Sequence, residues 1–180
     1  MAKAKAKSKK SAPDALDLLE QDHASVKKAF KKFEKMDHED TAAMQEVVQA
    51  VCQELKVHTT IEEEIFYPAV REEIEDDDLM NEAKVEHDSA KQLIEQLEGM
   101  DADDPLYAAT FTVLGEYVNH HVEEEESEMF PKARKAVDTA ALGRKMAARK
   151  AELMEEMAAE GGMPGLQEPT SDRGSTRPTH

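Results

Sequence analysis

The chain has 180 residues, 40 of them acidic and 23 basic, for a formal net charge of −17. That balance opposes a broad surface for the nucleic-acid backbone, and the length suits one domain with tails rather than two. Tryptophan is absent and aromatics are only 4% of residues, so any core must be built from Leu, Ile, Val, Met and Ala.

Several of the seven glycines and seven prolines fall in the last twenty residues. The body is therefore nearly free of helix breakers, and the composition predicts an all-α protein. Residues 1–12 carry Lys3, Lys5, Lys7, Lys9 and Lys10 with no apolar periodicity, and are expected to be a solvated, disordered tail. A first helix is predicted from near Pro13 to about Met36, with Leu16, Leu19, Val26, Phe30 and Phe33 on one stripe. His23 fills the slot between Leu19 and Val26.

A second helix is predicted from the capping pair Asp40 and Thr41. Its stripe runs Met44, Val48, Val51, Leu55, His58, Glu62, Ile65, Ala69, with Pro68 loosening its end and the acidic run Glu75 to Asp78 forming a turn. The third covers about Leu79 to Leu97, with His87 between Ala83 and Ala90 on the stripe, and Gly99 at its end. The fourth is expected to start at Asp104 and Pro105 and to carry Phe111, Leu114, Val118, His121 and Glu125. A fifth, from Thr139 to about Ala159, is predicted to pack outside the others or against a second copy. Residues 161–180 turn to Gly, Pro, Ser and Thr and read as a disordered tail.

Four helices of similar length with short connections and one apolar stripe each predict an antiparallel up-down four-helix bundle over residues 13–135, with an additional C-terminal helix over 136–160. Each stripe is broken near its middle by a histidine: His23, His58, His87 and His121. On two of them the next slot is glutamate, Glu62 and Glu125. Residues four apart share a helix face, so each His-x-x-x-Glu aims an imidazole and a carboxylate at one spot. Both copies add a Glu at the fifth position and a Pro at the tenth.

Polar groups buried without partners cost several kcal/mol. Imidazoles and carboxylates together are what a borderline cation prefers, so the six side chains predict a metal site. Four imidazoles and two bridging carboxylates supply about eight of the roughly twelve positions that two six-coordinate ions need. The expected sharing is His23 with His58, His87 with His121, and Glu62 and Glu125 between. The residues alone admit iron, manganese or zinc.

The phrases EQDH23, H58TTIEEEIFYP, EH87DSAKQLI and H120HVEEEESEMFP resemble the hemerythrin-like (HHE cation-binding) family over about residues 14 to 135. The resemblance implies a four-helix bundle with two non-haem, carboxylate-bridged iron ions acting on dioxygen, peroxide or iron itself. It places the metal on His23, His58, Glu62, His87, His121 and Glu125. Oxygen-carrying hemerythrins have a further histidine four residues after the one on the third helix, where this chain has Lys91. The resemblance therefore points to peroxide-decomposing or oxidase chemistry, or to iron storage or sensing, rather than simple oxygen carriage. Glu20 and Glu54 are candidates to fill the vacancy, and Tyr117 to donate a hydrogen bond or electron near the metals.

Other residues have plainer readings. Phe66, Tyr67 and Phe130 are expected to wall the site. Glu63, Glu64, Glu123, Glu124 and Glu126 read as a solvated face, and His120 as lying beside the stripe. Cys52 is the lone cysteine, so no intrachain disulfide forms and it reads as a small apolar residue. No apolar run approaches the roughly 20 residues of a membrane span, and the Lys-rich start lacks the apolar segment of a signal peptide. The expected setting is the cytoplasm, with neither membrane nor nucleic acid as partner. A helical scaffold with a structural metal is the remaining alternative.

Overall fold

The computed structural model describes residues 13–159; the expected tails lie outside that range. Among the described residues the chain forms five helical rods and no strand. Rod one is α1 (Ala15–Phe33), and rod two is α2 (Thr41–Ile61), a π-helical turn (Glu62–Phe66) and α3 (Tyr67–Ile74). Rod three is α4 (Asp77–Gly99). Rod four is α5 (Tyr107–Glu124), a second π-helical turn (Glu125–Met129) and α6 (Phe130–Ala136), and rod five is α7 (Thr139–Ala159). No helix among them is long and apolar enough to cross a membrane.

Local chemistry sets the rod ends. The Asp14 carboxylate accepts from the Leu16 and Asp17 amides, Asp40 from Ala43, and Asp76 from Leu79, each satisfying amides that a helix start leaves open. Only Glu75 and Asp76 separate rods two and three, with Glu75 left-handed at φ 45°. The expected turn over Glu75 to Asp78 is thus shorter, because Asp76 caps and Asp77 already belongs to α4. The fourth rod begins later than expected. Asp104 accepts from the Leu106 amide and its carbonyl from Tyr107, so Pro105 sits in a turn before the helix.

Up to Glu62 and Glu125 the predicted stripes face inward on all four bundle rods, but two apolar layers form instead of one continuous core. One gathers Val26, Phe30, Phe33, Val51, Leu55, Phe111 and Val118. The other gathers Leu16, Leu19, Ile61, Phe66, Met80, Phe130 and Met146. Between them lies a belt of buried polar side chains.

The first π turn corrects the sequence reading downstream of Glu62. The stripe was expected to continue through Ile65 and Ala69; Phe66, Tyr67 and Val70 are buried instead. The Tyr67 amide bonds back five residues to the Glu62 carbonyl, and Phe130 to Glu125 in the same way. One extra residue in the turn rotates everything after it. Met146 of α7 packs into the second layer and α7 lies on α1, α2 and the first π turn. Its close approach requires Gly143, where a Cβ would stand 2.3 Å from the Pro13 carbonyl oxygen.

Candidate metal centre

The belt consists of His23, His58, Glu62, His87, His121 and Glu125, each no more than 7% exposed. The structure brings all six together. His23 and His58 have ring centroids 4.9 Å apart, and His87 and His121 4.7 Å. Glu62 Oε2 lies 3.2 Å from His58 Nε2 and 3.4 Å from His87 Nε2. Glu125 Oε2 lies 3.3 Å from His23 Nε2 and 3.6 Å from His121 Nε2. Each carboxylate therefore touches one imidazole of each pair.

All four imidazoles present Nε2 inward, with Nδ1 facing a carboxylate on the outer side. His23 Nδ1 donates to Glu126 at 3.0 Å, His87 Nδ1 to Glu63 at 3.0 Å, and His121 Nδ1 to Glu86 at 2.8 Å. Asp22 stands 3.5 Å from His58 Nδ1. A carboxylate on one ring nitrogen fixes the tautomer and leaves the other nitrogen as a ligand. The pattern has an internal two-fold logic. The acid before the histidine on α1 or α4 serves the histidine of the following rod, and the acid after Glu62 or Glu125 serves a histidine on α4 or α1.

Three of these carboxylates are held by lysines: Glu126 by Lys27 at 3.3 Å, Glu63 by Lys91 at 2.6 Å, and Asp22 by Lys150 of α7. Glu63 and Glu126, read from sequence as part of a solvated face, instead prop the site, Glu63 partly buried and Glu126 exposed. The second Glu in both motif copies was the available signal. Lys91 occupies the position of the missing histidine and braces Glu63 rather than the belt itself.

Tyr67, expected only to wall the site, reaches into it. Its hydroxyl donates to Glu125 Oε1 at 2.8 Å and lies 3.1 Å from His87 Nε2 and 3.4 Å from His121 Nε2. The equivalent residue after the second π turn is Phe130, stacked on His23 at 5.7 Å. At this position the two halves differ by one hydroxyl. Of the other candidates, Glu20 is exposed and 4.0 Å from Arg134, Glu54 bonds Ser25, and Tyr117 is 47% exposed. Glu20 and Glu54 are thus engaged outside the belt, whereas Tyr117 lines the cavity beside the four histidines.

The belt is electrostatically unfinished. His23 Nε2, both oxygens of Glu62 and Glu125 Oε2 are buried with no hydrogen-bond partner, at roughly 1–3 kcal/mol for each such group. Burial, with Glu125 close by, pushes Glu62 well above the usual carboxylate range. Burial also works against ionised Glu125, but His121, His23 and His58 outweigh it and hold this carboxyl well below that range. Burial brings His58 down to about 4 despite Asp22, leaving a neutral, ligand-ready imidazole at neutral pH. Two groups of donor atoms, from His23, His58, Glu62 and Glu125 and from Glu62, His87 and His121, each lie within 4.8 Å of one another. This donor set fits metal cations. A cavity of about 20 Å³ adjoins it, lined by the four histidines with Val26, Leu55 and Val118, room for about one water-sized molecule.

Fold and site define a helical-bundle protein with His/Glu groups able to hold metal. Residues 14–133 match the model of the hemerythrin HHE cation binding domain, and the chain belongs to that family. It resembles a DNA nickase from Nostoc sp. with 29% identity over 114 residues, which is 63% of this chain but 32% of that protein. The fold is shared with a hemerythrin HHE cation binding domain-containing protein from Mycobacterium kansasii, at TM-score 0.71 and 22% identity, covering 82% of this chain and 91% of that one.

Proposed function

We propose that the chain is a non-haem two-iron protein that acts on dioxygen or hydrogen peroxide. His23 and His58 would hold one ion, His87 and His121 the other, and Glu62 and Glu125 would link them. Bound iron would supply reversible one-electron chemistry toward a small oxidant.

The observation that carries this reading is the set of orphaned inward atoms on His23, Glu62 and Glu125, next to a largely apolar cavity of about 20 Å³. That volume, room for about one water-sized molecule, favours a small oxidant as the ligand. The Tyr67 hydroxyl holds a proton against Glu125 and stands where it can contribute an oxygen to the His87 and His121 end. The facing position is Phe130, so the His23 and His58 end has no such donor. Valine and leucine around the cavity limit water, and the outer carboxylates keep the four Nε2 atoms aimed inward. The lone Cys52 goes with a cytoplasmic setting. The DNA nickase relative brings DNA into view, but the net charge of −17 favours a small-molecule substrate.

The test is peroxide consumption by iron-loaded protein. Turnover that disappears in His87→Ala is the expected result. Iron bound in a two-to-one ratio without turnover, accompanied by a large rise in Tm, would favour a sensor or store. Failure to retain any metal after anaerobic loading with ferrous iron would leave only a helical scaffold.

A further inference from the structure

His120 and Glu124 repeat the four-residue spacing of His121 and Glu125 one residue out of phase. One residue turns a helix by about 100°, so this second His-x-x-x-Glu faces outward. His120 is 63% exposed at its side chain, and its Nε2 lies 3.4 Å from Glu124 Oε1 and 3.6 Å from Glu86 Oε1. Donor atoms of Glu86, His120 and Glu124 all fall within 4.8 Å of one another. The other oxygen of Glu86 accepts from His121 Nδ1 at 2.8 Å, so one carboxylate spans the outer cluster and the buried belt.

A break in the site's own pattern supplies a second, independent reason to expect a ligand here. Glu126, Glu63 and Asp22 each orient a buried histidine and each has a lysine ammonium against it. Glu86 does the same work for His121, yet among the described residues no lysine or arginine pairs with it or with Glu124. Glu82 and Glu128 instead crowd Glu124 with further negative charge. Where three corners have a fixed cation, the fourth has an imidazole and converging carboxylates.

We propose that Glu86, His120 and Glu124 form a second, outer site for a divalent metal ion, which completes the fourth corner as the lysines complete the other three. One imidazole and two carboxylates suit Fe²⁺, Mn²⁺ or Zn²⁺. Solvent access and a three-residue donor set make it a weakly held, exchangeable site. Through Glu86 it lies one carboxylate away from His121.

Zinc is the probe. Full-length protein is equilibrated with Zn²⁺, and the metal retained is divided into a tightly held and a washable fraction. The washable fraction of the native chain should exceed that of His120→Ala and of Glu124→Gln by one equivalent per chain, with the tight fraction unchanged. His120→Asp should restore the equivalent, since a carboxylate replaces the lost ligand but would only add repulsion if no ion were bound. Equal washable zinc in native protein and both loss variants would overturn the proposal. So would a fall in the tight fraction alone, because His120 would then act only on the buried centre. The tight fraction reads on the buried centre and the washable difference on the outer site, so the two readings fail separately.

Discussion

Tyr67 and Glu125 meet across the bundle, the phenol donating to Oε1 at 2.8 Å although 58 residues separate them in the chain. Burial, with Glu125 and Glu62 nearby, pushes the phenol well above its ordinary range. The hydroxyl is therefore a proton-bearing group at neutral pH when no metal is present, and it is a polar feature that the His23 and His58 end lacks.

Tyr67→Phe keeps the ring packed and removes only that hydroxyl. Metal retention should fall about 10-fold, within the range seen when a group supporting a metal ligand is lost, while Tm of the metal-free protein changes little. Competition with a chelator measures the first and thermal unfolding the second. Unchanged retention would show that the contact is incidental.

Lys150 links α7 to the belt through Asp22, which is itself 6% exposed and faces His58. Burial raises Asp22, but bonds to His58 and Lys150 outweigh this and keep it ionised. Lys150→Met should weaken metal retention about 10-fold, and Lys150→Arg should retain it because the charge survives. Metal content after a chelator wash decides; identical loss in both variants would indicate packing rather than charge.

Gly143 should not tolerate a methyl group. Alanine gains about 1 kcal/mol in helix propensity, but its Cβ would lie 2.3 Å from the Pro13 carbonyl oxygen and 2.6 Å from the Ala15 nitrogen. Backbone atoms cannot yield cheaply, so overpacking of about 1–3 kcal/mol should win. Gly143→Ala is expected to lower stability in urea unfolding and to loosen α7, with Lys150 leaving Asp22.

The belt predicts how metal binding depends on pH. Glu62 is raised above its ordinary 4.5 in the metal-free fold. Its stabilising contribution is complete below 4.5 and is lost as pH rises through the raised folded value. A bound ion requires the ionised carboxylate and replaces that proton. The rise in Tm on metal loading should therefore widen from about pH 5 to about pH 8, with proton release on binding measurable by calorimetry in two buffers. In Glu62→Gln the proton release should shrink. His58, already brought down to about 4 by burial, contributes none near neutrality.

Much of this was legible in the residues. Four histidines in phase with apolar stripes announced their own burial, since an isolated surface histidine has no reason to keep that phase. Their neighbours were less legible. Glu63 serves His87 across 24 residues and Glu126 serves His23 across 103, and nothing local distinguishes such a glutamate from a solvated one. The doubled Glu in both motif copies was a signal without a visible partner. Ile65 and Ala69 were expected inside because a regular helical period was carried past Glu62. The π turn breaks that period and brings Tyr67 in, while Tyr117, the phenol favoured by regular spacing, stays half-exposed.

The sequence by itself determined which slots of each helix are polar and hence where the bundle must gather its imidazoles and carboxylates, because helical spacing and the cost of burying polar atoms act within one rod. Which oxygen meets which nitrogen was decided only in three dimensions. That depends on how each rod is rotated about its axis and on the extra residue in each π turn. Both are set by packing between rods distant in the chain.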